Sequence, residues 1–433
     1  MGADSVEGPT TAAAGGAGPA PRHLRRRSPA RRWLLICSAS VAVICLVVGG
    51  WAGVGYWTLQ NNIRSADLLQ PGQSHLAEPA DNTQAADDNV DDGPVNILVL
   101  GTDTRAGADS TFGSVDDSSG YGNSDVNIIV HIAADRKSAV VVSIPRDTMA
   151  PYPGCTDPQT GTVTPPSSAQ IINTALKLGG PSCTLKTIEA LTGIKIDHFL
   201  VADFNAVVDL TNTLGGVPVC VSAPINDPQS MLDLPAGTSV IQGQQALAFL
   251  RTRHGFGDGS DLDRIKAQQS FLAAMVRKIT TEGTLANIPK LYSIADTVTK
   301  NLTVDKSLAN IPALLGMANR VKNIDPANVA FVTAPNEPYV LDPNRVQLQA
   351  PQSTDLFAAI AADTSISAAL GAATTTAPAV AASDGASAGA AGTDPASGTP
   401  TATASAAATG TGLPPGVTGQ TGADATCQSA YTG

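Results

Sequence analysis

The chain has 433 residues and a formal net charge of −11, so it is long enough for one large domain or two small ones. Acidic residues outnumber basic ones by 37 to 26, and only 4% of the residues are aromatic. An acidic chain without basic and aromatic runs argues against nucleic acid as a partner, and we expect none.

The N-terminal region divides into a basic tail and an apolar run. Residues 1–32 are rich in Gly, Ala and Pro and carry six arginines, which predicts a disordered cytoplasmic tail. Residues 33–57 contain no charge, and a transmembrane helix needs roughly 20 apolar residues. A cleaved signal peptide is the alternative, but its apolar region is only about 7–15 residues long. Because the arginines come first, we predict a single-pass protein with a cytoplasmic N-terminus and an extracellular domain.

Composition divides the rest of the chain into three parts. Residues 58–93 are polar and acidic, which predicts an extracellular linker. Strand patterns alternate with helix patterns over residues 94–371, which favours a layered α/β domain. Residues 372–433 are mostly Ala, Thr, Gly, Ser and Pro and are expected to form a flexible low-complexity tail.

Four cysteines follow the apolar run, at Cys155, Cys183, Cys220 and Cys427. Disulfides persist outside the cell, and four cysteines allow three connectivities, among which the sequence does not choose. Cys427 is therefore either bonded to the domain or free near the end of the tail. Zinc binding is the alternative role, but the chain has no CxxC motif and no Cys/His cluster.

The clearest elements of the α/β domain are three apolar strands and one amphipathic helix. The strands are predicted at residues 95–100, 126–132 and 139–144. The helix is predicted at residues 262–279, where apolar residues recur on one side. Asp261 or Asp263 near its start is interpreted as a capping residue that favours the helix dipole.

Charged residues stand at the ends of all three strands. Asp103 and Arg105 follow the first, Asp125 precedes the second, and Arg146 follows the third. Open α/β sheets place their chemistry at such edges, so we interpret these residues as half of an active site. Mg²⁺ takes one or two carboxylates plus substrate phosphate and water, which favours Asp103 and Asp125 as its ligands, with Mn²⁺ as the alternative ion. The competing interpretations are turn-capping by each acid and an ion pair between Arg146 and Asp147.

A second set of cations begins some 100 residues later. Arg251 and Arg253 would point to one side of an extended backbone, and paired guanidinium groups suit a pyrophosphate. A solvated pair is the alternative, which the apolar run before Arg251 makes less attractive. Arg264 and Gln268 are four residues apart on the predicted helix and share a face. We expect them to complete the anion site.

Short segments of residues 95–280 resemble the LytR–CpsA–Psr family of cell-envelope phosphotransferases. The segments read NILVLGTDTR, NSDVNIIV, VVVSIPRDT, INTALKLGGP, DHFLVADF, LPAGTSVIQGQQALAFLRTRH and DLDRIKAQQ. Each is short, but their joint order and spacing are highly specific. The resemblance implies a central mixed β-sheet between helices, with a deep apolar pocket for a polyprenyl tail.

The resemblance also implies a function. It is that of a Mg²⁺-dependent enzyme that moves a glycopolymer phosphate from a polyprenyl-pyrophosphate carrier to a peptidoglycan hydroxyl. Water in place of the acceptor would give a pyrophosphatase side activity. The positions that match the family's catalytic and binding residues are Asp103 and Asp125 for the metal, Arg146, Arg251 and Arg253 for the pyrophosphate, Gln268 for the head group, and Arg105 in the GTDxR position.

Two features depart from the family pattern. Many members have arginine where this chain has Asn123, so a substrate contact there lacks a charge. Residues 106–122 form a long insert, which we interpret as a flap over the site. The alternative to a transferase is a non-catalytic protein with the same fold that binds a polyprenyl lipid or a cell-wall glycan. The neutral Asn123 favours this alternative.

Overall fold

A computed structural model describes residues 29–70, 72–76, 93–105, 120–281, 287–364, 417 and 419–431. It separates into two compact units, Met1–Gly55 and Tyr56–Gly433. Several predictions lie outside the described residues, namely the cytoplasmic tail over 1–28, the flap over 106–119 and the low-complexity tail over 372–416.

Eight α-helices are present in the described residues. They are α1 (Pro29–Asn62), α2 (Ala175–Thr192), α3 (Phe204–Leu214), α4 (Gly243–Arg251), α5 (Asp261–Thr281), α6 (Ile288–Asn301), α7 (Ile311–Val321) and α8 (Gln352–Ala361). The part of α1 from Ile36 to Asn62 is long and apolar enough to cross a membrane. The amphipathic helix predicted at residues 262–279 is α5.

The described residues also form eighteen strands. The first nine are β1 (Arg64–Ala66), β2 (Val95–Thr102), β3 (Ser124–Ile132), β4 (Ala139–Ile144), β5 (Met149–Tyr152), β6 (Cys155–Thr156), β7 (Val163–Thr164), β8 (Ser167–Ile171) and β9 (His198–Ala202). The others are β10 (Val217–Val221), β11 (Ile225–Asp227), β12 (Leu232–Leu234), β13 (Gly237–Ile241), β14 (Leu302–Asp305), β15 (Val329–Thr333), β16 (Asn336–Tyr339), β17 (Asp342–Leu348) and β18 (Gly419–Thr421).

Eight strands form one mixed sheet, in the order β1–β14–β9–β2–β3–β4–β15–β18. Strand β3 is antiparallel to both β2 and β4, whereas β2 is parallel to β9 and β4 is parallel to β15. Side chains of β2 alternate between two cores, because successive residues of a strand face opposite sides. Leu98 and Leu100 pack with α2 and α8, and Ile97 packs with α5. The predicted sheet between helices is confirmed.

A third core supports the end of α4. It joins α4 and α5 to the β10–β13 ribbon, and its aromatic residues are Phe249, Phe256 and Phe271. The Phe249 and Phe256 rings pack edge to face, with centroids 4.9 Å apart. Since Phe249 lies two residues before Arg251, this cluster holds the C-terminal end of α4.

Two segments that composition assigned to a linker and a tail belong in part to the sheet. Strand β1 lies inside the predicted linker over 58–93 and pairs with β14, and β18 lies inside the predicted tail over 372–433 and pairs with β15. Such short strands add through backbone hydrogen bonds, which do not depend on apolar side chains. The disulfides join Cys155 to Cys183 and Cys220 to Cys427, so the end of the chain is bonded to the domain.

Candidate active site

The strand-end charges meet at one edge of the sheet. Because β3 is antiparallel to β2 and β4, its first residues lie beside the last residues of both neighbours. Asp103 follows β2, Asp125 is the second residue of β3, and Arg146 follows β4 after Pro145. The topology therefore brings together the acidic and basic groups that the sequence analysis assigned to half of a site.

Asn123 holds the carboxylate of Asp103. The Asn123 backbone N–H donates to Asp103 Oδ1 at 2.6 Å, and Asn123 Nδ2 donates to Asp103 Oδ2 at 3.3 Å. In return, the Asp103 backbone N–H donates to the Asn123 carbonyl oxygen at 3.1 Å. The residue predicted to contact substrate thus orients a predicted metal ligand.

Arg146 bridges three carboxylates. Its Nη1 donates to Asp125 Oδ1 at 2.6 Å, and its Nε lies 3.5 Å from both Asp147 Oδ2 and Asp261 Oδ1. Burial lowers the pKa of Arg146, but the surrounding carboxylates, Asp125 foremost, outweigh burial and leave the pKa raised. The Asp147 ion pair that competed with an active-site role is therefore present, but the Asp125 contact is the shorter one.

Asp261 is a partly buried carboxylate that the sequence analysis did not assign to the site. It bonds to Arg264 on the first turn of α5, and its Oδ2 is buried without a hydrogen-bond partner in the described part of the chain. Burial raises the pKa of Asp261, although Arg264 and Arg146 oppose the shift. Asp261 and Asp263 both lie in the first turn of α5, where an acid favours the helix dipole as predicted, and Ser260 Oγ accepts from the Asp263 backbone N–H at 3.3 Å. The feature of the sequence that could have predicted this ion pair is the i, i+3 spacing of Asp261 and Arg264 on a helix.

The other two predicted arginines flank a buried threonine. Arg251 is the last residue of α4, so the extended backbone considered for it is not found, and its Cζ lies 4.5 Å from the centroid of the Phe204 ring. Thr252 is buried, and its hydroxyl donates to the carboxylate of Asp227. Arg251 and Arg253 are exposed on either side. The side chain between the two arginines is therefore the anchor of this turn.

Charged groups from both halves of the site affect the pKa of Arg251. Partial burial lowers its pKa first, and the positive charges of Arg105 and Arg253 lower it further. Asp125 and Asp103 oppose the shift through their negative charges. The acids from the sheet edge and the arginines from the α4 end are therefore within electrostatic range of one another. The positive charges of Arg105 and Arg253 both act on the Arg251 guanidinium, and such a group of like charges favours an anion between them.

Arg264 and Gln268 lie on the same face of α5. Arg264 is only 8% exposed, and burial lowers its pKa while Asp261 offsets part of the shift. Gln268 Nε2 donates to the Leu250 carbonyl oxygen at 3.1 Å, so it connects α5 to the end of α4. Arg264 is therefore an internal partner of Asp261, and Gln268 faces the site.

A small cavity of about 10 Å³ lies at this edge. Its polar lining includes Asp125, Arg146, Asp261 and Gln268. A cavity of that volume admits about one water molecule or one ion and has no room for a hydrocarbon tail. The apolar pocket expected for a polyprenyl tail stays a prediction.

The two predicted metal ligands fit a cation that the substrate helps to bind. Within the described ranges, no group of three or more His, Cys, Asp and Glu side chains could hold a metal ion. Mg²⁺ needs only one or two carboxylates when phosphate and water supply the other oxygens, and Mn²⁺ accepts similar ligands. The assignment of Asp103 and Asp125 as ligands of an ion shared with the substrate therefore stays a prediction.

Known proteins of one family are similar to this chain. The model of the LytR_cpsA_psr family matches residues 68–361. The chain is 29% identical over 318 residues to the cell wall biosynthesis protein LcpA of Corynebacterium glutamicum, covering 69% of this chain and 58% of that protein. It is 26% identical over 281 residues to the polyisoprenyl-teichoic acid–peptidoglycan teichoic acid transferase TagT of Bacillus subtilis, covering 63% and 78% respectively.

A solved structure shares the fold. The structure of TagT bound to LI-WTA superposes with a TM-score of 0.50 at 22% identity, covering 68% of this chain and 98% of that one. The two corynebacterial relatives, LcpA and the probable cell wall biosynthesis protein LcpB, are matched over 58% and 44% of their lengths. The chain thus spans about half the length of these relatives.

Proposed function

The chain belongs to the LytR_cpsA_psr family, and from this membership we propose that it is a membrane-anchored glycopolymer transferase. In this proposal it moves a glycopolymer phosphate from a polyprenyl-pyrophosphate carrier to a peptidoglycan hydroxyl and leaves a phosphodiester link. Relatives named as teichoic acid transferases support the reaction class. The observation that carries the proposal is the convergence of Arg105, Arg251 and Arg253 with Asp103 and Asp125.

The arginines bind and neutralise the pyrophosphate. Arg251 and Arg253 are exposed and can donate several N–H groups to phosphate oxygens, and Arg105 is close enough to act on Arg251 electrostatically. Phosphoryl transfer depends mainly on position and on neutralising the charge that spreads over the phosphate oxygens. A Mg²⁺ or Mn²⁺ ion held by Asp103 and Asp125 would polarise the phosphoryl group. Arg146 keeps the Asp125 carboxylate in place through the 2.6 Å contact.

The acceptor hydroxyl needs a group that takes its proton, and we assign that role to Asp261. Its pKa is raised by burial, which makes the ionised carboxylate a stronger base. The acceptor oxygen forms a bond to the phosphorus that carries the glycan. The bond from that phosphorus to the bridging oxygen breaks, and polyprenyl phosphate leaves. When water replaces the acceptor, the same step releases the glycan phosphate by hydrolysis.

The location follows from the apolar helix. We place α1 across the membrane, with the N-terminal arginines in the cytoplasm and the catalytic domain outside the cell. The two disulfides support this orientation, because disulfides persist in oxidising compartments. The partners are then a polyprenyl-pyrophosphate-linked glycan, peptidoglycan and the bilayer itself.

The test uses the full chain in detergent with a polyprenyl-pyrophosphate glycan, peptidoglycan and Mg²⁺. We expect a phosphodiester-linked product, hydrolysis when peptidoglycan is omitted, and loss of both activities with EDTA. The absence of transfer and of hydrolysis under these conditions would overturn the proposal. The neutral Asn123 favours the alternative, a binding protein without turnover. Lipid binding that survives both Asp103→Ala and EDTA, with no product, would establish that alternative.

A further inference from the structure

The last described residues of the chain pack beside the arginines. We call residues 427–431 the C-terminal strap, and residues 252–260, which join α4 to α5, the arginine loop. On one side the strap pairs with the end of β10. The Gln428 backbone N–H donates to the Cys220 carbonyl oxygen at 2.9 Å, and the Ser222 N–H donates to the Gln428 carbonyl oxygen at 2.9 Å. The Cys220–Cys427 disulfide makes this attachment covalent.

On its other side the strap pairs with the arginine loop. The Gly257 N–H donates to the Ser429 carbonyl oxygen at 3.0 Å, and the Tyr431 N–H donates to the Gly255 carbonyl oxygen at 3.1 Å. Between these two bonds, Ala430 lies opposite Phe256 in an antiparallel bridge. The strap therefore adds a short strand between β10 and the loop, and backbone bonds hold it on both sides.

Side chains reinforce this contact. The Tyr431 ring meets the His254 ring edge to face, with centroids 6.3 Å apart. Ala430 is 8% exposed and packs in the cluster that contains Phe249 of α4 and Phe271 of α5. The strap thus touches the loop and shares a core with both helices that the loop connects.

Hydrogen bonds within the arginine loop are confined to its second half, where the Gly259 N–H donates to the Phe256 carbonyl oxygen at 2.9 Å and the Ser260 N–H donates to Asp258 Oδ1 at 2.8 Å. The loop contains three glycines, at positions 255, 257 and 259, and glycine has the largest backbone freedom to lose. At Gly259, φ is +83°, and an added Cβ would lie 3.3 Å from Cε2 of Tyr431. The backbone and the strap therefore approach each other closely here, and the sequence leaves space for the Tyr431 ring.

We propose that the C-terminal strap positions the arginine loop, so that Arg251 and Arg253 face the pyrophosphate in a fixed geometry. The proposal rests on the function proposed above and adds to it a segment from the far end of the chain. Tyr431 and Ala430 are positioning residues, because they contact the arginine loop and the core beneath it. Gln428 holds the strap itself in place, through its backbone bonds to β10 and the 2.6 Å bond from its Nε2 to Ser270 Oγ on α5. Without the strap the loop loses backbone hydrogen bonds and a packing partner, and such segments open at low free-energy cost.

The test compares the full chain with a chain that ends at Thr426 and retains Cys220. Hydrogen exchange reports the order of residues 254–259, and calorimetry reports the binding of inorganic pyrophosphate with Mg²⁺. We expect faster exchange in the loop and pyrophosphate binding weakened roughly 10- to 100-fold, since a misplacement of 1 Å can cost 10²-fold. A synthetic peptide of residues 427–433, disulfide-bonded to Cys220, should restore both properties.

Two controls separate positioning from general stability. Cys155→Ser/Cys183→Ser removes the other disulfide and should lower the melting temperature without changing exchange at residues 254–259. Tyr431→Ala should weaken pyrophosphate binding while Tyr431→Phe retains it, and this pair keeps the test decisive if the shortened chain fails to fold.

Unchanged loop exchange, or faster exchange with unchanged pyrophosphate binding, would overturn the inference. If the full chain itself does not bind pyrophosphate, the proposed function fails, and the exchange result still decides whether the strap orders the loop.

Discussion

The two halves of the candidate site are built in different ways. Asp103, Asp125 and Arg146 stand at the ends of three adjacent strands, and the antiparallel pairing of those strands sets their positions. Arg251 and Arg253 stand at a helix end and on a glycine-containing loop, where no regular backbone pairing within the loop places them. Contacts from distant segments do so instead, namely Asp227, Phe204 and the C-terminal strap.

Substitutions in the two halves of the site should therefore have different consequences. The sheet-edge half is partly buried and its charges are paired, so a substitution there disturbs folding as well as chemistry. The arginine half is exposed, so a substitution there should change ligand binding and leave the fold intact. Stability and activity should therefore separate between the two halves.

Arg251→Ala should give the largest effect on activity. Removal of a group that stabilises developing charge typically costs about 10²–10³-fold in turnover. The free energy of unfolding should fall by less than about 1 kcal/mol, because the contact with Phe204 is a single cation–π interaction. Transfer assays and urea unfolding measure the two quantities, and Arg320→Ala on α7 serves as a matched control that should change neither. An active Arg251→Ala enzyme would remove the pyrophosphate role from the arginine half.

Arg146→Ala should give the largest effect on stability. It leaves the carboxylates of Asp125 and Asp261 without their shared cation. Breaking a buried ion pair costs about 3–5 kcal/mol, and we expect at most the lower end because the side chains of Arg146 and Asp125 are 17% and 38% exposed. Urea unfolding measures the loss, and the free energy of unfolding of Arg146→Lys should lie between those of the wild type and Arg146→Ala. A variant as stable as the wild type would show that the sheet-edge half is not held by this arginine.

Thr252→Val should weaken the attachment of the arginine half. The substitution keeps the shape of the side chain and removes the hydroxyl that donates to Asp227. Hydrogen bonds to charged groups contribute about 1.5–3 kcal/mol, so we expect a loss in that range and weaker pyrophosphate binding. Thr252→Ser keeps the hydroxyl donor and should retain most of the stability and most of the pyrophosphate binding. Equal behaviour of the Val and Ser variants would show that the hydroxyl does not position the arginines.

The same contact predicts how stability depends on pH. Burial raises the pKa of Asp227, but hydrogen bonds from Thr252 and Ser230 outweigh burial and leave the pKa lowered. Because the folded pKa lies below the unfolded value of about 3.9, this contribution to stability is complete above that pH. It is lost as the pH falls through the folded pKa. Between about pH 6 and pH 2, the free energy of unfolding should therefore fall more steeply with decreasing pH in the wild type than in Asp227→Asn. Parallel curves for the two proteins would contradict the assignment.

Gln268→Ala should give the smallest effect. It removes one hydrogen bond to the Leu250 carbonyl oxygen, a contact worth about 1 kcal/mol. The bond joins α5 to the end of α4, so pyrophosphate affinity should fall a few-fold with it. A loss of stability as large as that of Arg146→Ala would mean that Gln268 supports the fold rather than the site.

The same comparison explains which features could be predicted from the sequence. Charges at the ends of apolar strands were enough to predict that Asp103, Asp125 and Arg146 meet, because strand pairing brings such ends together. Asp261 was missed because an acid at a helix start also fits a capping role, and only burial by other segments distinguishes the two. The Cys220–Cys427 pairing and strands β1 and β18 were not predictable either, since neither depends on a pattern of apolar residues.

The central claim is that both halves of the site bind one diphosphate. Its most direct test is a structure of the full chain with Mg²⁺ and a short polyprenyl pyrophosphate. The account predicts a diphosphate in contact with both Arg251 and Arg253, and a cation between it and the carboxylates of Asp103 and Asp125. A diphosphate bound elsewhere on the domain, or bound by one half of the site alone, would contradict it.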